Sequence, residues 1–140
     1  MMIPMPISFC FRPEHKVLIC SHIGTIGDEE FLNSYTSLLE NDRFAETMNL
    51  IIDLSRADSS ERSQLVLQSF AIIAKERFQD IRTKPMIAVI APKDVSFGLA
   101  RMYETFADMI PWDFAVFRTA GKALAWLRLP ENFLDDFSGK

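Results

Sequence analysis

The chain has 140 residues, of which 49% are apolar and 24% are charged, and its formal net charge is −4. This length predicts one domain whose core needs no disulfide or metal ion, and the composition excludes a disordered chain. No apolar run approaches the roughly 18 to 20 residues that cross a bilayer. Lysine and arginine are scattered, so we expect no nucleic-acid binding, because phosphate neutralisation needs clustered positive charge.

The N-terminal segment and the two cysteines indicate a cytoplasmic protein. The segment MMIPMPISFCF has no positive charge before its apolar residues and is unlike a signal peptide. With a hairpin turn centred between Glu14 and His15, Cys20 faces Phe9 and lies on the opposite sheet face from Cys10. A turn centred on His15 would instead bring the two cysteines together. We expect two free, buried thiols, as is usual in an intracellular protein.

The N-terminal half is predicted to form a hairpin, a helix and a buried strand. The hairpin strands are Ile7 to Phe11 and Lys16 to His22, which are rich in β-branched and aromatic residues and joined by a polar turn. Asp28 is the predicted N-cap of the first helix, which should end near Asn41. The next buried strand is Met48 to Leu54.

The C-terminal half is predicted to alternate helix and strand. A Ser/Asp-rich loop leads into a long helix over about Glu61 to Gln79. The central strand is Met86 to Ala91, whose continuous apolar run is typical of a strand buried on both faces. The next helix carries apolar positions from Val95 to Met109 at the spacing of one face. The last strand, Asp113 to Arg118, is followed by a helix that Thr119 caps and Pro130 ends.

This order predicts an α/β fold with a mixed, mostly parallel sheet flanked by helices, in the order ββαβαβαβα. The first strand is then an antiparallel edge. We expect one domain over residues 1–140, with its core at about 7–129 and an acidic tail over 130–140. We expect this tail to be loosely held, although Phe133, Leu134 and Phe137 could dock on the body.

Three segments resemble the bacterial SpoIIAA-like proteins, which are grouped with STAS and Sec14-type domains. They are Ile52-Asp53-Leu54, the run AVIAPKDVSFGLARMY from Ala88 to Tyr103, and VFR from Val116 followed by ALAWL from Ala123. The resemblance covers about Phe9 to Leu129 and implies a four- or five-stranded mixed sheet. It also implies a choice of roles, since such domains include phospho-switched anti-sigma-factor antagonists, transporter regulatory domains and lipid carriers.

The same resemblance marks Ser60 as a possible phosphoacceptor. Phospho-switched members carry an Asp-Leu-Ser strand end and, after a longer connection, an Asp-Ser-Ser-Gly helix start whose second serine is phosphorylated. Here Asp53-Leu54-Ser55 and Asp58-Ser59-Ser60 occur in that order, with a shorter connection and with Glu61 in place of the glycine. A phosphate on Ser60 would add nearly two negative charges. Plain helix capping by Ser59 or Ser60 is the simpler explanation, and we favour it.

A candidate ligand rim lies at the carboxyl ends of the parallel strands, where open α/β sheets bind ligands. It collects polar residues and prolines from three strand ends: Asp53, Ser55, Arg56, Pro92, Lys93, Ser96, Arg118 and Thr119. The amides of Ser96, Phe97 and Gly98 are predicted to open a helix there and to cradle an anion. Gly98 costs a helix about 0.8 to 1 kcal/mol relative to alanine. Close packing of helix on sheet, which we favour, or approach to a ligand would explain it.

The sequence predicts no catalytic residue, metal site or cofactor. His15 lies in a predicted turn and His22 at a strand end, far from Ser55, so no Ser-His-Asp or Cys-His arrangement is assembled. The histidines and cysteines lack the spacing of metal ligands, and the glycines match no phosphate-binding loop. We therefore do not expect an enzyme.

Two further groups of residues suggest binding surfaces. Leu65, Gln68 and Ile72 lie on the far side of the second helix from its core arc, as an incidental exposed ridge or as a surface for a protein partner or homodimer. The second group is aromatic and either packs the core, which is simpler, or lines an apolar ligand pocket as in Sec14-type domains. Its members are Phe97, Phe106, Trp112, Phe117 and Trp126.

The leading interpretation is a non-enzymatic regulatory module that acts through protein contacts near the start of the second helix. The first alternative is a carrier of a small lipid or other apolar ligand, held between the central sheet and the third helix. The second alternative is an enzyme that uses the rim around Asp53 and Arg118.

Overall fold

Nine elements follow one another in the predicted order in a computed structural model, which describes residues 7–39, 49–58, 64–77, 85–106, 108, 110 and 112–135. The strands in this described part are β1 (Ile7–Arg12), β2 (Val17–Thr25), β3 (Asn49–Asp58), β4 (Met86–Ile90) and β5 (Asp113–Phe117). The helices are α1 (Asp28–Leu39), α2 (Gln64–Arg77), α3 (Asp94–Phe106) and α4 (Ala120–Leu127). None of these helices is long and apolar enough to cross a membrane.

The five strands form one sheet in the order β1-β2-β3-β4-β5. β1 pairs antiparallel with β2, and every other neighbouring pair is parallel. β3 and β4 lie side by side, from Leu50 opposite Ile87 to Asp53 opposite Ile90. The prediction of a mixed, mostly parallel sheet with an antiparallel first edge is confirmed.

Alternate residues of each inner strand face different helices. On β2, Leu18 and Cys20 pack in the cluster under α1, α2 and α3, whereas Val17 and Ile19 pack under α4. A strand covered on both faces needs apolar side chains at successive positions, which accounts for the continuous apolar runs in the sequence. The same α4 side also buries Phe133, so the described part of the C-terminal tail does dock on the body. Phe137 lies outside the described residues.

The hairpin register separates the two cysteines. Phe9 pairs with Cys20 and Cys10 pairs with Ile19, as expected for a turn centred between Glu14 and His15. Both cysteines are free. Cys20 is buried as predicted, but Cys10 is only half-buried, because it lies on the edge strand.

Two strands run further than predicted. β2 continues to Thr25 and β3 to Asp58, and the two remain paired after a register shift between Ser21 and Ile23. The residues of this extension are largely exposed, so they lack the apolar alternation by which a sequence indicates a strand. The Thr25 hydroxyl donates to Asp58 Oδ2 at 3.1 Å near its end. The expected loop at 55–58 is therefore strand.

Helix boundaries differ from the prediction at α1. The Phe31 amide donates to the Gly27 carbonyl at 3.0 Å, so Gly27 rather than Asp28 is the capping residue, and Asp28 lies inside the first turn. α1 extends to Leu39 in the described part, and Asn41 lies outside it. At α4 the prediction is confirmed, because Thr119 Oγ1 accepts from the Lys122 amide at 3.3 Å.

The inward face of α3 matches the prediction only in part, since Leu99, Met102 and Phe106 pack against the core but Val95 does not. Val95 is 58% exposed, and the buried residues are Ser96, Ala100 and Tyr103. Leu99 is half-buried beside them. Serine and alanine are only weakly hydrophobic, so they do not stand out in the apolar pattern. The pattern therefore placed the centre of the inward face of α3 one residue too early. Met109 lies outside the described residues.

Candidate functional site

A mostly apolar cavity of about 80 Å³ lies between the sheet and helices α1, α2 and α3, partly open to solvent. Rings form much of its wall: Phe31, Tyr35, Phe70, Tyr103 and Phe114. Aliphatic side chains from β3, β4, α2 and α3 complete it, together with His22 and Ser96. Native cores contain few voids larger than a water molecule, so a cavity of this size is unusual and marks the first candidate site.

Small residues on α3 leave room for this cavity. Ser96 and Ala100 are buried, face the sheet one turn apart, and both line the space. Tyr103 follows on the same face and closes one side with its ring. The cavity therefore results from the spacing of small and large side chains along one helix face.

A buried hydrogen bond stands at the α1 side of the cavity. His22 Nε2 lies 2.5 Å from the Tyr35 hydroxyl oxygen, and His22 is only 4% exposed. Cys20, two residues earlier on the same face of β2, also shares a side-chain hydrogen bond with Tyr35. Burial raises the pKa of the Cys20 thiol far above its usual range, so the sulfur stays protonated. A protonated, buried thiol is a poor nucleophile.

Tyr103, whose side chain lines the other side, has a buried hydroxyl. Its side chain is 6% exposed, and its hydroxyl oxygen has no hydrogen-bond partner among the described residues. Burial raises the pKa of Tyr103 well above its ordinary value, which keeps the hydroxyl neutral. Leaving a buried hydroxyl unpaired lowers the free energy of unfolding by about 1 to 3 kcal/mol.

Two of the three basic residues of the predicted rim, Lys93 and Arg118, are held in contacts within the protein. Arg118 Nη1 lies 2.7 Å from Asp94 Oδ1 and 3.1 Å from the Pro92 carbonyl oxygen. Its guanidinium lies 4.0 Å above the centre of the Phe97 ring. Lys93 Nζ donates to the carbonyl of Ala57 on β3 at 3.0 Å.

Only part of that rim is brought together. Asp53, Ser55 and Arg118 line a cleft of about 320 Å³ on the α4 side of the sheet, along with Pro92 and Thr119. Within it, Asp53 Oδ1 accepts from the Ser55 hydroxyl at 2.6 Å and from the Ser55 amide at 3.0 Å. Arg56 is exposed on the β2–β3 extension. Ser96 instead lines the cavity on the opposite face.

The expected anion cradle at the start of α3 lacks one of its three amides and otherwise stays a prediction. The Phe97 amide donates to the Lys93 carbonyl at 2.9 Å, so it is already used by the helix. Ser96 is 2% exposed and faces inward. Close packing, the favoured reason for Gly98, is not found among the described residues, since Gly98 is exposed and a Cβ built there would meet none of their atoms within 4 Å. Approach to a ligand, the alternative reason, stays a prediction.

The residues of the proposed partner surface are only partly described. Ile72 is 57% exposed and Gln68 is half-buried on α2. Leu65 belongs to α2, but its side chain lies outside the described residues, as do Ser59, Ser60 and Glu61. The phosphoacceptor and the ridge remain predictions.

The aromatic residues that the sequence offered for a pocket or, more simply, for the core do not line this cavity. None of Phe97, Phe106, Trp112, Phe117 and Trp126 lines the cavity. The last two pack together on the α4 side of the sheet, with ring centres 5.6 Å apart.

The sequence contained two signals for residues at the cavity, although only His22 of the first pair lines it. Cys20 and His22 are two positions apart on a strand, which places both on one face. For Tyr103 the signal was its position seven residues after Ser96, two helical turns along α3.

Comparison with known proteins supports the fold. No protein-family model matches the sequence, and no curated protein matches it. The structure is similar to the crystal structure of an uncharacterized protein of the DUF3478 family with a SpoIIAA-like fold, from Shewanella loihica PV-4. The TM-score is 0.54 at 20% sequence identity, and the similarity covers 86% of this chain and 91% of that chain. The chain therefore has the SpoIIAA-like fold that its sequence motifs implied.

Proposed function

We propose that the protein is a non-enzymatic binding module that holds a small, mostly apolar molecule in the cavity between the sheet and helices α1, α2 and α3. The observation that carries this proposal is the cavity itself, which aromatic and aliphatic side chains of the sheet and three helices line. A filled core would not contain this space.

Volume limits the size of the bound molecule. An engineered apolar cavity of about 150 Å³ binds benzene, and the present cavity has about half that volume. Because it is partly open to solvent, one small ring or a short branched chain fits with modest movement of its walls. A whole membrane lipid is too large for it in this conformation.

Cys20 supports a binding role over a catalytic one. It is the thiol closest in sequence to His22, and burial keeps it protonated by raising its pKa. A nucleophilic cysteine needs the opposite shift, toward the thiolate.

Toluene is a suitable probe for this proposal. We expect it to raise the melting temperature and to shift core methyl NMR signals of the unmodified protein, because a ligand that binds only the folded state stabilises it. Ala100→Leu, which places a larger side chain in the cavity, should abolish both effects. Ala125→Leu makes the same change on the exposed side of α4 and should leave both unchanged.

Two results would contradict the cavity proposal. One is the absence of toluene binding to the unmodified protein at concentrations near its solubility. The other is equal toluene binding by the Ala100→Leu variant. Native mass spectrometry of freshly purified protein adds an independent check, since a retained natural ligand would appear as an extra mass.

A second candidate function is the regulatory protein contact suggested by the resemblance to anti-sigma-factor antagonists. The exposed Ile72 in the middle of α2 favours it. Ile72→Asp should weaken self-association, measured by light scattering, or partner capture in a pull-down. Ser69→Asp adds the same charge to an exposed polar position of α2 and serves as the control. Capture that survives Ile72→Asp, and also Ser60→Asp combined with Leu65→Asp, would contradict this function.

A further inference from the structure

We infer that the cavity selects small hydrocarbons over oxygen-bearing molecules of the same size, and that the hydrogen bond between His22 and Tyr35 determines this selectivity. Small aromatic hydrocarbons and alkenes belong to the preferred class, whereas phenols and carboxylic acids do not. The inference rests on the proposed function and adds to it the chemistry of the ligand and the residues that select it.

The polar side chains of the cavity wall already have partners or are out of reach of a ligand. Four lining residues carry a polar side-chain atom: His22, Tyr35, Ser96 and Tyr103. His22 Nε2 and the Tyr35 hydroxyl hydrogen-bond each other, and Ser96 also has a partner within the protein. The Tyr103 hydroxyl oxygen has almost no accessible surface, so it does not border the cavity. Among the described residues of the wall, a ligand therefore meets no side-chain donor or acceptor that is free to pair with it.

Such a wall disfavours any polar group on the ligand. None of the lining residues is an aspartate, glutamate, lysine or arginine, so a carboxylate would lose its hydration without gaining a counter-charge. A hydroxyl would give up its hydrogen bonds to water and gain none in return, which weakens binding about 5- to 150-fold. A methyl group in the same place has no hydrogen bond to lose.

Packing keeps Tyr35 from turning toward a ligand. The centre of its ring lies 5.0 Å from that of Phe31, 5.5 Å from that of Phe70 and 5.6 Å from that of His22. Tyr35 also shares a side-chain hydrogen bond with Cys20. Rotation of Tyr35 would give up these contacts and take a hydrogen-bond partner away from buried His22. The pair therefore stays closed when a ligand enters, and the selectivity exists before binding.

Toluene and phenol test the selectivity, because they differ only in a methyl group and a hydroxyl group of similar size. Titrations followed by protein NMR near neutral pH, where phenol is uncharged, should show toluene binding about 5- to 150-fold more tightly to the unmodified protein. Phenol that binds as tightly as toluene would overturn the inference and leave the apolar cavity as the binding site. Failure of both molecules to bind would overturn the proposed function as well.

Tyr35→Phe tests the role of the hydrogen bond. It removes one oxygen atom and leaves His22, which lines the cavity, without this partner. The hydroxyl of phenol then pairs with His22, so phenol binding should strengthen about 5-fold relative to toluene binding, the effect of one net hydrogen bond. In this variant the nitrogen NMR signal of His22 Nε2 should shift with phenol and not with toluene. An unchanged ratio, or a signal that responds equally to both molecules, would show that the pair does not determine the selectivity.

Tyr103→Phe is the matched control. It makes the same change in another lining residue, but the hydroxyl that it removes does not border the cavity. This variant should bind toluene and phenol in the same ratio as the unmodified protein. A ratio that changes equally in both variants would show that altered packing, rather than the freed His22, is responsible, and it would overturn the role of the His22–Tyr35 pair.

Discussion

The Nε2 atom of His22 lies 2.5 Å from the hydroxyl oxygen of Tyr35, a residue 13 positions later in the chain. This hydrogen bond joins the middle of β2 to helix α1 inside the core. It also fixes two polar side chains at one wall of an otherwise apolar cavity. Buried polar groups of this kind contribute to stability only while they stay paired.

Tyr35→Phe should lower the free energy of unfolding by about 1 to 3 kcal/mol, because buried His22 and Cys20 both lose a hydrogen-bond partner. Urea denaturation measures the loss. Combined with His22→Leu, the change should cost less than the sum of the single losses, since neither polar group then remains without the other. Strict additivity would show that the two residues are not coupled.

Stability should fall at alkaline pH. Burial raises the pKa of Cys20 and of Tyr103, so the folded chain keeps protons that the unfolded chain releases near pH 8.5 and pH 10. Stability is then complete below about pH 8.5 and declines above it, by up to about 1.4 kcal/mol per pH unit for each group ionised only in the unfolded state.

Two variants show which of the two residues causes the loss of stability at alkaline pH. Cys20→Ala should move its onset toward pH 10, whereas Tyr103→Phe should keep the onset and reduce the slope above pH 10. The measurement is chemical denaturation at a series of pH values from 7 to 11. A free energy of unfolding that stays constant over this range would contradict the burial of both groups.

Gly98 and Gly24 should respond to alanine in opposite directions. Gly98→Ala is expected to stabilise the protein by about 0.5 to 1 kcal/mol, because Gly98 lies inside α3 and a Cβ there meets no atom within 4 Å. Gly24 has a φ of +74°, where alanine is strained, so Gly24→Ala should cost about 1 to 2 kcal/mol. Thermal denaturation of the two variants measures both changes in stability. A loss of stability in Gly98→Ala would indicate that something outside the described residues approaches that backbone.

Arg118→Ala should have a small effect on stability and none on toluene binding. Its ion pair with Asp94 is exposed and its stacking on Phe97 is partly so, which together contribute no more than about 1 kcal/mol. Arg118 lines the cleft on the α4 side rather than the cavity. A loss of toluene binding in this variant would place the ligand at the rim instead.

The order of elements was predictable because the inner strands, which are buried on both faces of the sheet, consist of long apolar runs. The run from Met86 to Ile90 is an example. The strands that pair with it on each side were predictable because strands and helices alternate along the chain. The β2–β3 extension was not predictable, because exposed residues such as Arg56 give no periodic signal.

The cavity was harder to predict than the sheet. The volume of a cavity depends on the distance between helix and sheet. No pattern in the sequence gives that distance. Ser96 was assigned to the polar rim because it follows the carboxyl end of β4, yet it is buried beside Ala100. The pairing of His22 with Tyr35 depends on where α1 crosses the sheet, which spacing alone does not give.

Helix α4 is the last regular element of the described chain, and it alone among the four helices covers one side of the sheet. As the chain leaves the ribosome, Val17, Ile19 and Ile51 are therefore synthesised long before the segment that shields them. A nascent polypeptide interrupted before Ala120 would expose this apolar face of the sheet to chaperones and to other unfinished chains. Synthesis of α4 is thus the step that allows this face of the sheet to be covered.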